Sequence, residues 1–369
     1  MNILVICDSF KGSLSSKEAN ESISNSAKRL GFNVKSLEIS DGGDGFLVAV
    51  NQKLNANKIT LNLKNAANTE NLEGYYLLDN NTAYFEMAEF AGIAKLKESD
   101  KNPLKTSTKS LGIAILDAIN KNTNKFIIGI GGSATNDAGI GMLSAFGYNF
   151  LDEFDNILEP IGKNLIKIKK IDDKNIDLRL KKCTFHIAND VNNPLYGLNG
   201  AAFIYARQKG ANDSDIIFLD EGLKNFANIC EKHFGKDFSM CAGAGAAGGL
   251  AYGFLEFLNA SFCSGFEFLK QLLNLEEYIK NADIVITGEG SFDNQSLMGK
   301  VIGSINNLCE IHQKKLIIFC GINKSDFKNC FSLKENYKQY NQTELMQKNI
   351  AQECLSNLSY KILKNIKNY

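Results

Sequence analysis

The chain has 369 residues, 44% of them hydrophobic and 22% charged, and its 41 basic and 41 acidic side chains give a formal net charge of zero. That length suggests two domains with ample core, while balanced charge excludes a nucleic-acid or membrane-surface binder held by bulk electrostatics, and no apolar run approaches the roughly 20 residues that cross a bilayer. Its nine cysteines form no C-x-x-C pair and no Cys/His cluster at metal spacing, and no basic leader precedes the first apolar run, so a cytoplasmic protein is expected.

In chain order, Ile3–Cys7 is a continuous apolar run closed by a polar turn, the pattern of a buried parallel strand. Ser15 or Ser16 caps a helix to about Leu30, Gly31 closes it, and Val34–Ile39 is the next strand, ending at Asp41-Gly42-Gly43. Residues 51–83 are rich in Asn and Lys, with short alternating strands such as Lys58–Leu63 and Gly74–Leu78. Leu111–Asn120 and Ala138–Phe146 read as helices, and Asn124–Ile130 and Cys183–Ala188 as stronger strands. Near the end, Asp283–Thr287 is a strand leading into Gly288-Glu289-Gly290, Val301–His312 a helix, and Leu316–Cys320 a strand ending at Gly321. The pattern is α/β. One domain is expected from both chain ends, residues 1–60 plus 282–369, with residues 61–281 inserted. Ligands of parallel α/β sheets bind beyond the carboxyl ends of strands, where the glycine-rich clusters fall.

The most pointed cluster is Lys125–Gly141, an apolar strand that opens into Gly131, Gly132, Ser133, Thr135, Asn136 and Asp137. Glycine and small hydroxyl residues let consecutive N–H groups approach an anion. Gly129–Ala134 and Gly243–Gly248 imitate dinucleotide fingerprints, but polar residues interrupt the helix after the first and a helix, not a strand, precedes the second. The P-loop is absent, because Gly299-Lys300 is followed by Val301. The clusters together suit phosphoryl transfer, which needs cations for phosphates, carboxylates for Mg²⁺ and a group that orients the attacking hydroxyl. Lys11 follows a strand and would reach an anionic substrate, or is a solvated loop lysine. Asp41 and Asp44 would support a metal or a substrate hydroxyl, and Asx turns explain them equally well. Asp190 closes a strong strand, as a base or ligand would, or forms a turn into Pro194; Glu289, Asp293 and Gln295 cluster after another strand. His186 reads as a packed strand histidine, and His233 and His312 lie on helices with no partner nearby.

The motif set resembles the bacterial type-1 glycerate kinase family nearly end to end. The resemblance rests on Asp8–Ser15 (DSFKGSLS), Ser40–Gly45 (SDGGDG), Glu86-Met87-Ala88, Gly129–Asp137 (GIGGSATND), Asp190–Leu195 (DVNNPL), Gln208–Ala211 (QKGA), Gly243–Gly249 (GAGAAGG) and Thr287–Gly290 (TGEG), with Asp293, Gln295, Gly299 and Lys300. It implies ATP-dependent phosphorylation of D-glycerate with Mg²⁺, and two α/β domains flanking an active-site cleft. One would be a flavodoxin-like three-layer domain with a parallel sheet, the other an inserted domain with a mixed sheet. On this reading Asp190, Lys11 and Asp293 are the catalytic candidates. Asp8, Ser9, Asp41, Gly42, Gly43, Gly131, Gly132, Ser133, Asn136, Gly288, Glu289 and Gln295 would bind substrate or nucleotide, and Asp41, Asp44, Asp190 and Asp293 are metal candidates. No nucleic-acid or membrane partner is expected, a homodimer is allowed, and 2- against 3-phosphoglycerate stays open. The alternatives are a non-catalytic nucleotide- or metabolite-binding homologue and an NAD-dependent dehydrogenase. Ala138 and Ser110 stand where the family usually has glycine, Asp44 replaces Glu, Phe46 stands where Thr is common, and Arg207 replaces proline. Phe46 is therefore expected to alter the metal or substrate shell, and the two glycine replacements to alter loops that need positive φ.

Overall fold

A computed structural model of the chain describes residues 1–297 and 301–367, and for Gln295 the backbone alone. Gly299 and Lys300, two positions of the resemblance, lie outside the described residues. The chain divides into two compact units, Met1–Leu54 with Gly265–Tyr369, and Asn55–Ser264. Among the described residues no helix is long and apolar enough to cross a membrane.

The unit built from both chain ends holds a five-stranded sheet. Its strands run in the order Asn33–Ser36, Asn2–Val5, Ile284–Phe292, Lys315–Asn323 and Cys330–Ser332, and every pairing is parallel. Numbered within the unit this is 2-1-3-4-5, the flavodoxin-like order. Ile3, Leu4 and Val5 are all buried although neighbours in a strand point to opposite faces, so both faces of the sheet are covered. One face packs against the first and last helices, Ser16–Arg29 and Lys348–Lys367, through Ile23, Ala27, Leu355 and Leu358. Ser15 caps the first helix in a reciprocal box with Glu18, and Gly31 at φ +81° follows its end.

Two strands run further than the sequence suggested. Ile284–Phe292 and Lys315–Asn323 continue through Gly288-Glu289-Gly290 and Gly321, which read as turns. A Cβ at Gly288 would stand 2.3 Å from the Phe319 carbonyl oxygen, so the glycine permits close strand approach instead of ending the strand.

The unit Asn55–Ser264 holds a six-stranded mixed sheet. Ser261–Cys263, Thr184–Ala188, Lys125–Gly129 and Thr82–Glu86 are mutually parallel, and Asn71–Asp79 and Asn57–Lys64 complete it in antiparallel fashion. Phe126 stacks on Phe185 with ring centroids 4.9 Å apart, and the helix Lys109–Asn120 buries Leu111, Ala114 and Ile115 in the same core. The helix expected from Ala138 begins at Ile140, because Ala138 and Gly139 take left-handed φ values of +50° and +78°.

Candidate functional site

In the flavodoxin-like unit, strand order reverses between Asn2–Val5 and Ile284–Phe292, the point where such sheets bind ligands. Asp8 lies there, its N–H donating to the Gly288 carbonyl at 2.9 Å. The residue before it is clamped: Asn20 Oδ1 accepts from the Cys7 N–H, and Ser16 Oγ donates to the Cys7 carbonyl. A cavity of about 380 Å³ opens beside these strands and is lined by Asp8, Ser9, Lys11, Asp41, Glu289 and Asp293. Six residues singled out in the sequence thus share one pocket.

The pocket is rich in acids. Burial, then the neighbouring Asp41 charge, raise the Asp8 carboxyl to about 7, against the opposing pull of Lys11 and the Ser9 N–H. Lys11 Nζ stands 3.9 Å from Asp41 Oδ2 and is 74% exposed, so this ion pair adds little to stability. Asp41 also forms the Asx turn, its Oδ1 accepting from the Gly43 N–H at 3.0 Å, while Gly42 and Gly43 are buried in that turn. Asp293 accepts from the Ser296 N–H at 3.0 Å and so heads the short turn Asn294–Leu297. Asp44 is exposed and does not line the pocket, Gly288 lies inside its strand, and the Gln295 side chain is outside the described residues. Among the described residues no group of three or more His, Cys, Asp or Glu side chains is arranged to hold a metal by itself.

The raised Asp8 pKa gives a stability prediction. The unfolded carboxyl ionises near 3.8 and the folded one near 7, so between these values the folded state binds more protons and stability falls as pH rises. Asp8→Asn is expected to flatten that decline and raise Tm at pH 8 in metal-free buffer, read by thermal melts from pH 4 to 8. An unchanged slope would mean that Asp8 ionises normally.

In the unit Asn55–Ser264, Glu86, Gly129, Ala188 and Cys263 stand side by side at the carboxyl ends of four parallel strands. The loop beyond Gly129 is tied on several sides. Gly132 O accepts from the Ile93 N–H, the Ala134 N–H donates to Ala91 O, and Thr106 Oγ1 donates to Ala134 O. Ser133 is 8% exposed; Asn136 is fully buried, and neither atom of its amide finds a hydrogen-bond partner among the described residues. Gly131 is half-buried and Gly132 exposed. Asp190 is exposed just past Thr184–Ala188, and the turn there is held by Asn189, whose Oδ1 accepts from the Val191 N–H. Burial, with the Asp190 charge adding, pushes the nearby Cys263 thiol up to about 11.

The run Gly243–Gly249 packs backbone to backbone and has no preceding strand, so it lacks the dinucleotide context. Gly248 has φ +67°, and a Cβ on it would lie 2.0 Å from the Thr135 carbonyl oxygen. Gly248→Ala is expected to cost about 3 kcal/mol or more, from backbone overlap and positive φ together. Urea unfolding reads this; a loss below about 1 kcal/mol would show that the two segments part freely.

Other expectations are corrected. His233 and His312 do have partners, Asp173 at 3.3 Å and Glu276 at 2.9 Å. Phe46 is fully buried against Phe268, so it belongs to the core and not to a substrate shell. A larger cavity of about 670 Å³, with Lys64, Lys105, Lys109 and Lys163 on its walls, contains none of the site residues picked from the sequence.

The glycerate kinase family model matches residues 3–367. The chain belongs to the glycerate kinase family. A glycerate kinase of Halalkalibacterium halodurans is 39% identical over 308 residues, spanning 81% of this chain and 80% of its own. The glycerate 2-kinase of Escherichia coli is 36% identical over 328 residues, spanning 87% and 85%. A crystal structure from Salmonella typhimurium LT2, assigned as a glycerate kinase 2, superposes with a TM-score of 0.76 at 29% identity and covers 100% of this chain and 98% of that one.

Against the family pattern, Ala138 does sit at positive φ, a strain of roughly 1 kcal/mol. Ser110 does not: it lies in the first turn of Lys109–Asn120 and its Oγ donates to Lys64 O at 2.6 Å. Two residues that brace the glycine loop were given no role from the sequence. Asp137 is fully buried and accepts from Thr108 N and Oγ1, Gly139 N and Gly141 N. Lys209 is buried against the same loop.

Proposed function

We propose that this chain transfers the γ-phosphoryl group of ATP to a hydroxyl of D-glycerate, giving phosphoglycerate and ADP. The family match over residues 3–367 carries the substrate and reaction. The pocket where Asp8, Ser9, Lys11, Asp41, Glu289 and Asp293 meet supports the phosphate chemistry. Asp8 and Asp41 crowd like charges beside the exposed Lys11, which is the donor chemistry a hard cation with a phosphate partner relieves. Asp41 and Asp293 are the carboxylates that would hold Mg²⁺ there, with phosphate oxygens of the nucleotide completing its shell. When bound, that ion would offset charge on the transferring phosphoryl group.

The substrate hydroxyl oxygen attacks the γ-phosphorus in line, the bond to the β-phosphate oxygen breaks, and ADP leaves. Asp190 takes the hydroxyl proton, with Asp293 the second candidate. Lys11 neutralises the substrate carboxylate or the transferred group, and Gly131, Gly132, Ser133 and Asn136 line the phosphates. Positioning and charge neutralisation supply most of the acceleration. The E. coli relative is named for the 2-position, and we place the phosphate on that oxygen here too. The flavodoxin-like unit and the inserted unit are read as domains of one enzyme, and ATP use with nine free thiols suits a reducing cytoplasm.

The decisive experiment is ADP release from Mg-ATP with D-glycerate, followed by ³¹P NMR of the product. A phosphorus split by one proton marks the 2-ester, and one split by two marks the 3-ester. Absence of glycerate-dependent ADP release overturns the reading.

A further inference from the structure

Lys209 is 3% exposed, and its Nζ donates to Ser133 Oγ at 2.8 Å and to the Thr135 carbonyl at 2.7 Å. It stands in the turn Arg207–Lys209, which follows a π-helical stretch, Ala202–Ala206. Neither hydrogen-bond partner is a carboxylate. The acid whose charge reaches it, Asp137, accepts its own hydrogen bonds from Thr108, Gly139 and Gly141. Burial drives Lys209 down to about 7, with Asp137 opposing. An ammonium group buried on neutral partners is costly, and a methionine of similar length would fill the space without that cost.

In its ammonium form, which predominates below about pH 7, Lys209 only donates, so Ser133 Oγ then accepts from it and the Ser133 O–H points elsewhere. Ser133 keeps a small opening to solvent, and it belongs to the loop assigned to the phosphates above. We infer that Lys209 is a positioning residue, which fixes the Ser133 hydroxyl as a donor to a phosphoryl oxygen of the nucleotide and pins the Thr135 carbonyl beside it. The inference rests on the kinase reading and adds a residue to the phosphate site from a distant segment of the chain.

The test is a double-mutant cycle with Lys209→Met and Ser133→Ala, measuring kcat, KM for Mg-ATP and Tm. Each single variant is expected to lose roughly 10- to 100-fold in kcat/KM for ATP, the scale of one charge-assisted hydrogen bond. The double variant is expected to be no worse than either single one, because Lys209 acts through Ser133. Lys209→Met should melt at or above the wild-type temperature. Lys209→Gln, which keeps an N–H donor, should recover part of the activity.

Wild-type kcat/KM in Lys209→Met or Ser133→Ala overturns the inference, as do losses that multiply in the double variant. A lowered Tm in Lys209→Met with an equally inactive Lys209→Gln assigns Lys209 to folding and also overturns it. If the wild-type chain releases no ADP, the kinase reading has failed instead.

Discussion

Asp190→Asn is expected to lower kcat by roughly 10²- to 10⁴-fold while leaving Tm unchanged. The residue is exposed past the end of Thr184–Ala188, so the substitution opens no cavity. Asparagine matches its shape but cannot take a proton at neutral pH. The local turn is held by Asn189 and survives the change. The measurement is steady-state turnover of D-glycerate with Mg-ATP beside a thermal melt. A variant retaining more than about a tenth of wild-type kcat would move the proton-accepting role to Asp293. That residue is the weaker candidate, because one of its oxygens already accepts from the Ser296 N–H and hydroxyl.

Removing Asp137 attacks stability. Its carboxylate is completely buried and accepts from two groups of Thr108 and from the N–H groups of Gly139 and Gly141, joining the glycine loop to the starts of two helices. Burial raises its pKa, and the four hydrogen bonds oppose that rise. Asp137→Ala would leave several buried donors unpaired at about 1–3 kcal/mol each, partly relieved by water entry, for a net loss of about 3–5 kcal/mol. That is a large share of the stability of an ordinary domain. Urea unfolding reads it, and a loss under about 1 kcal/mol would show that the loop is held without this acid. Asp137→Asn is expected to fall between, since an amide oxygen accepts some of the same bonds.

The contrast between these two aspartates shows how far the sequence could be read. Both stand in polar loops after strong strands. Only coordinates separate the exposed acid from the buried anchor, because burial depends on which segments pack over a loop. Asp8, Ser9, Lys11, Asp41, Glu289 and Asp293 were legible one by one as strand-end residues, and the doubly buried parallel sheet, whose order reverses beside Asp8, explains why they share a pocket. Lys209 was not legible: a lysine in a polar turn looks solvated until its partners, 76 and 74 residues away, are known.

The chain alone determined the α/β alternation, the capped first helix, the glycine-rich strand ends and the family resemblance, because these depend on local periodicity, capping chemistry and short ordered motifs. Tertiary structure decided that Gly288 and Gly321 continue strands instead of breaking them, that Phe46 is core, and that Asp137 and Lys209 brace the glycine loop. Those outcomes rest on contacts between residues far apart in sequence, and steric fit and desolvation at such contacts have no signature in any single segment.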